Sequence, residues 1–136
     1  MRPLLVDSSV WIDLLGGRTT WATDRLRAML EERLVLTLDL IIMEVLQGVR
    51  HPRELRETDD ALAQFECRTA GGPARARRAA ANYRLLRSVG ITPRSPIDVL
   101  IATFCVDEEC ELLAADRDYA LMAPHLGLEL HQPSLN

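Results

Sequence analysis

The stretch Leu4-Leu5-Val6-Asp7-Ser8-Ser9-Val10-Trp11-Ile12-Asp13 constrains this chain more than any other. Three apolar residues run straight into a carboxylate. Two small hydroxyl residues follow, and then a second apolar run. A strand buried on both faces shows no polar–apolar alternation, because neither face meets water. The acid then stands where the strand gives way to a helix. Leu112-Leu113-Ala114-Ala115-Asp116 has the same form much further along the chain. Such strands separated by helical stretches predict an α/β fold with a mostly parallel sheet of four to five strands.

The elements between can be read from their punctuation. Pro3 to Val6 is the first predicted strand, and Ser8 to Leu15 a short helix stopped by Gly16-Gly17. Thr20 can cap a second helix running to about Arg33. Leu34 to Thr37 reads as a strand, and Asp39 as the cap of a helix continuing to about Val49. The apolar stripe of that helix is Leu38, Ile41, Ile42, Val45 and Val49, which leaves Glu44 at the rim of the core. Arg53 to Phe65 reads as a charged helix touching the core through Leu55, Leu62 and Phe65, and Cys67 to Thr69 as a marginal strand. Pro73 and Gly90 frame a long helix with Ala76, Ala79, Ala80, Tyr83 and Leu86 on its apolar face. Ser95-Pro96-Ile97-Asp98 opens another, with Ser95 and Asp98 spaced as a capping box. After Asp116 come a short helix, an edge strand over Leu128 to Leu130 and a loose tail from His131 to Asn136. No linker or repeat divides the 136 residues, so one domain is expected.

Composition removes several classes of function. All 16 basic residues are arginine. Without lysine there is no phosphate-binding P-loop and no Schiff base. Three cysteines without a Cys-x-x-Cys argue for buried free thiols rather than disulfides or a zinc ribbon. No apolar run reaches the roughly 18 residues that cross a bilayer, and no leader is apparent, so a cytoplasmic protein without a membrane partner is expected. The net charge of −4 disfavours a simple phosphate binder. Clustered arginines or bound metal ions would reconcile it with a nucleic acid.

Four acids stand at comparable places. Asp7 and Asp116 follow strands, Asp98 lies in the first turn of its helix, and Glu44 lies one turn into its own. The functional crevice of an open α/β sheet lies at the carboxyl ends of its strands, so these acids can converge there. Converging carboxylates repel one another, and a divalent cation relieves that repulsion. All-oxygen ligation favours Mg²⁺ or Mn²⁺ over zinc. Each acid also has an ordinary reading. Asp7 and Asp116 can be helix caps, Asp98 half of a capping box, and Glu44 a partly solvated helix residue.

Taken together, the pieces around these acids are familiar. Val6-Asp7-Ser8-Ser9-Val10-Trp11-Ile12-Asp13, Ile42-Met43-Glu44-Val45-Leu46-Gln47-Gly48, Pro96-Ile97-Asp98-Val99-Leu100-Ile101-Ala102 and Leu112-Leu113-Ala114-Ala115-Asp116-Arg117-Asp118-Tyr119 occur in order over nearly the whole chain. The sequence resembles the PIN-domain ribonucleases, specifically the VapC toxins of type II toxin–antitoxin pairs. The resemblance implies a single PIN domain over residues 1–136 with a three-layer α/β/α arrangement. It also implies Mg²⁺- or Mn²⁺-dependent endoribonuclease activity, leaving a 5′-phosphate and a 3′-hydroxyl. Asp7, Glu44, Asp98 and Asp116 match the four acidic positions of the family. By the same resemblance Asp7, Asp98 and Asp116 would hold the metal and Glu44 would position the attacking water. Ser8 and the extra acid Asp118 would support them. A homodimer is implied, and so is a toxin–antitoxin hetero-oligomer. In the latter a VapB-type antitoxin would lie in a groove near Trp21 to Leu30 and Glu54 to Phe65. Two positions depart from the family pattern: Tyr119 stands where phenylalanine is frequent, and Ala114-Ala115 where polar residues are frequent.

The remaining features carry blander readings. Arg75, Arg77, Arg78, Arg84 and Arg87 form a solvated helix face or, alternatively, an RNA-backbone contact. Aromatic content is 4%, which makes no base-stacking platform evident. Trp11, Trp21, Met29 and Met43 read as packing residues. The alternative function is a catalytically silent PIN-fold module that binds RNA or protein. Another metal-dependent phosphoesterase is a third reading. Its haloacid-dehalogenase form is disfavoured because Ser9 occupies the second aspartate position of Asp-x-Asp.

Overall fold

β1 (Leu4–Val6) lies at the centre of the sheet, and all three of its residues are buried. The computed structural model describes residues 1–133. Among these, β2 (Val35–Leu38), β3 (Glu66–Arg68) and β4 (Glu111–Leu113) complete a sheet of order β3-β2-β1-β4. Every pairing is parallel. Leu5 sits beside Leu36 on one side and Leu112 on the other. Parallel neighbours need crossovers, and helices supply them. They are α1 (Ser8–Leu15), α2 (Trp21–Met29), α3 (Asp39–Gln47), α4 (Pro52–Leu62), α5 (Pro73–Ser88), α6 (Pro96–Asp107) and α7 (Arg117–Leu126). α1 packs on α2 and α3, α4 packs on α3, and α5, α6 and α7 pack on one another. The two groups of helices and the sheet make the expected three layers.

The core explains why β1 tolerates no polar residue before Asp7. Leu4, Leu5, Val6, Leu36, Leu38, Leu112 and Leu113 are all essentially inaccessible, and Ile41, Leu26, Ile101, Phe104 and Met122 close over them. Truncating such a side chain to alanine typically costs about 2–5 kcal/mol. No helix among the described residues is long and apolar enough to cross a membrane.

Several local expectations are corrected. Asp39 opens α3 without capping it. Its carboxylate instead accepts the Leu40 and Ala70 amides, tying the end of β2 to the chain after β3. Met43 is half exposed rather than core filler, because α3 buries only the Ile41–Val45 side. Cys67 is exposed on the outer strand β3, while Cys105 and Cys110 are buried as expected. The predicted last strand contracts to one parallel bridge, Leu112 to Leu130. The expected tail is anchored at its start: the His131 amide donates to the Leu112 carbonyl at 2.8 Å. Its last residues, 134–136, lie outside the described residues.

Candidate active site

The four acids expected from sequence gather at the carboxyl edge of the sheet, each placed by a different element. Asp7 directly follows β1, and its amide donates to the Leu113 carbonyl at 2.9 Å, which fixes it beside the end of β4. It also caps α1 through the Ser9 amide. The cap and the site are thus one residue, since a side chain turned toward the N-terminus of α1 also faces the crevice. The Ser9 hydroxyl donates to the same Asp7 oxygen at 2.8 Å and accepts the Ala115 amide at 3.4 Å. This links the two strand ends.

Asp98 does not complete the predicted capping box. Ser95 caps α6 through the Ile97 amide, but the Asp98 carboxylate turns instead toward the Tyr119 hydroxyl. Tyr119 lies 3.2 Å from Asp98 Oδ1 and 3.2 Å from Asp7 Oδ1. One phenolic proton therefore serves two carboxylates. Burial and the adjacent acids hold the phenol protonated, far above its ordinary range. Tyr119 replaces a phenylalanine frequent in the resembled family, and in this chain it bridges the acids.

Asp116 caps α7 by accepting the Asp118 amide at 2.9 Å. Asp98, Asp116 and Asp118 each offer an oxygen within 4.8 Å of the others. The most compact trio thus includes Asp118, expected only as a supporting acid. Asp7 lies deeper, joined to the trio through Tyr119. Glu44 is half-buried on α3, and its Oε1 is buried without a hydrogen-bond partner.

The electrostatics follow from this crowding. Burial and then repulsion from Asp7, Asp116 and Glu44 raise the Asp98 pKa to about 6, while the Tyr119 hydrogen bond pulls it down. Burial raises the Asp7 pKa, and its bonds from Ser9 and Tyr119 offset part of the rise. Burial and the Asp7 charge raise that of Glu44, with the Ser8 hydroxyl acting in the opposite sense. Ser8 therefore acts on Glu44 through its hydroxyl and on Asp7 through its amide, and Ser9 holds Asp7 as well.

Arg94, which sequence reasoning did not single out, lies across the outer acids. Its Nη2 donates to Asp116 at 3.3 Å, and its backbone amide donates to Asp118 at 3.1 Å. No motif marks this arginine, because it sits in the connector before α6 and meets its partners only in the fold. By contrast, Arg75 and Arg78 of α5 are bound to Asp107 and Glu108. That part of the basic helix face is satisfied within the fold.

The donor set is all oxygen, strongly anionic, and includes one buried oxygen without a partner. It suits a hard divalent cation such as Mg²⁺ or Mn²⁺. A cleft of about 380 Å³ opens from Asp116 and Tyr119 toward Trp21 and His131. A separate shallow groove lies between α1, α3 and α4, where Ile12 and Leu15 are exposed.

A sequence model of the PIN domain matches residues 4–123. Among solved structures, VapBC2 from Rickettsia felis, bound to a DNA fragment from its promoter, superposes with a TM-score of 0.75 at 13% identity. The match covers 95% of this chain and 97% of that one. DNA-bound VapBC from Salmonella typhimurium gives 0.75 at 16% identity, over 96% of this chain and 98% of that one. VapC20 from Mycobacterium tuberculosis, a sarcin–ricin loop cleaving toxin, gives 0.63 at 14% identity, over 86% and 92%. At these identities the likeness to solved structures is one of fold.

Proposed function

This chain belongs to the PIN-domain family, and on that premise we propose that it is a metal-dependent endoribonuclease, the VapC-type toxin of a toxin–antitoxin pair. The observation that carries the reading is the convergence of Asp7, Glu44, Asp98 and Asp116, with Asp118, on one crevice from five places in the sequence. Helix capping accounts for two of these acids, but not for Asp98 turned from its cap or for Glu44 with a buried free oxygen.

Asp98, Asp116 and Asp118, with Asp7 behind them, would hold the ion, Mg²⁺ or Mn²⁺ by donor chemistry. When bound, the ion would polarise the phosphodiester and stabilise charge on the leaving oxygen. The chain's own residues do the rest. Ser9 and Tyr119 keep Asp7 in one orientation. Glu44, with one oxygen uncommitted, orients the attacking water and takes its proton, aided by burial and the Asp7 charge, which raise its pKa. Arg117, exposed at the cleft, meets the anionic strand.

The partner we propose is a VapB-type antitoxin. The half-exposed Ile12 and Leu15 of α1, Leu30 just after α2 and Leu55 of α4 support a docking surface there. A homodimer belongs to the same reading. The deciding experiment uses purified chain freed of any antitoxin, total RNA, and Mg²⁺ or Mn²⁺. Wild type should cut and Asp7→Asn should fold normally without cutting. Equal cleavage by the variant would sink the site assignment, and no cleavage by wild type would favour the silent binding module.

A further inference from the structure

Beyond Asp116, Arg117 and Tyr119, the cleft runs on to His131 through residues that the chemistry above does not use. Its lining is largely apolar, with Ala114, Ala115, Ala120 and Leu130, and Asp13 and Thr20 add polar groups to it. Its far wall is aromatic, with Trp21 and His131 stacked at 6.0 Å between centroids and 20° between planes. Trp21 is 39% exposed, although it begins a helix whose other large apolar residues Leu26 and Met29 are buried.

His131 is built into this wall by both ring nitrogens. Arg25 Nε donates to its Nε2 at 3.1 Å. Nδ1 therefore carries the proton and donates to Glu111 at 2.5 Å. Arg33, itself nearly buried, donates to the same Glu111 oxygen, Oε1, at 2.7 Å. A histidine engaged at both nitrogens is held in one orientation. It contributes a fixed π surface, and it braces Trp21 in a single plane.

We propose that this cleft is a subsite for one unpaired base of the RNA strand, adjacent to the phosphate held at the acids. The inference rests on the nuclease reading and adds to it where the strand is gripped. Several observations favour a base as occupant. The cleft is continuous with the acidic crevice through Asp116 and Tyr119. At about 380 Å³ it admits a flat heterocycle. The aromatic wall supplies stacking, which is indifferent to strand charge and works in a chain of net charge −4. Gln132 at the rim carries an amide donor and acceptor suited to a base edge. Ala114 and Ala115, with side chains of a single methyl, leave room beside Asp116.

The test measures binding of labelled hexauridylate and hexaadenylate by anisotropy, in the Asp7→Asn background so that the strand stays intact. Inorganic polyphosphate is the base-free probe. Trp21→Ala should weaken RNA binding roughly 5- to 150-fold, the loss expected for one stacked base. Trp21→Phe should retain most of it. Ala120→Phe, which fills the cleft and leaves Trp21 in place, should weaken it as well. Polyphosphate binding should be unchanged in all three, and thermal melts check that each variant folds. RNA affinity unmoved by both Trp21→Ala and Ala120→Phe would overturn the proposal. Equal losses for RNA and polyphosphate would do the same. Loss of antitoxin binding alone would assign the cleft to a protein segment and overturn it too. The nuclease reading fails separately: wild type that does not cut, while these base-dependent losses persist, removes the nuclease and leaves the subsite.

Discussion

Asp98→Asn should make the metal-free protein more stable while destroying its function. The carboxyl of Asp98 has its pKa raised from 3.8 to about 6. A group whose folded pKa is raised favours the fold fully below its unfolded pKa. That contribution is lost as pH rises through the folded value. Above about pH 6 the ionised Asp98 is therefore a burden on the fold. A rise from 3.8 to about 6 corresponds to about 3 kcal/mol at most. Asp98 is only half-buried, so solvent screening reduces this, and half is a fair figure. The asparagine keeps an oxygen that can accept from Tyr119, which leaves a gain of about 1.5 kcal/mol, or roughly 4–5 °C in melting temperature for a domain of this size. The assay is a thermal melt at pH 7.5 in EDTA and again in Mg²⁺. In EDTA the variant should melt higher than wild type, and the difference should vanish near pH 4. In Mg²⁺ the order should reverse, since an ion at a hundredfold over its dissociation constant stabilises the wild type by about 2.7 kcal/mol. A variant that melts lower than wild type in EDTA would refute the electrostatic argument. An unchanged Mg²⁺ response would refute Asp98 as a ligand.

Two further outcomes follow from the same geometry. Tyr119→Phe removes the proton shared by Asp7 and Asp98 at 3.2 Å each. It should lower metal-free stability by about 0.5–1.5 kcal/mol in urea unfolding while leaving RNA cleavage largely intact. Arg94→Gln withdraws the cation lying on Asp116 and Asp118. Mg²⁺ affinity measured by calorimetry should tighten about two- to fivefold, the scale of an exposed ion pair, and weaker binding would show that Arg94 organises the acids instead of competing for them.

Much of this molecule was legible in its sequence because the relevant physics is local. A short unbroken apolar run ending in an acid fits a strand buried on both faces, and β1 and β4 follow that pattern. Punctuation placed most helix ends: Gly16 after α1, Pro73 at the start of α5, and Thr20 capping α2. The α/β class and the candidate acids Asp7, Glu44, Asp98 and Asp116 were all readable before any coordinates. Only tertiary structure decides how those acids are placed relative to one another. Asp98 could not be separated from its capping box by spacing, because the competing partner, Tyr119, is 21 residues away. Asp118 joins the compact trio beside Asp98, and Arg94 covers the outer acids, each across a separation of about twenty residues that no local pattern encodes. The same holds for Trp21 and His131, which are 4% aromatic composition and a tail residue until the last bridge of the sheet brings them together. Sequence determined that the strand runs Leu4-Leu5-Val6 and Leu112-Leu113 must be buried and that Asp7 and Asp116 follow them, since both follow from short-range pattern and solvent exclusion. The geometry between distant residues, on which charge sharing, ion binding and the aromatic wall depend, arises only when the parallel sheet aligns its carboxyl edge.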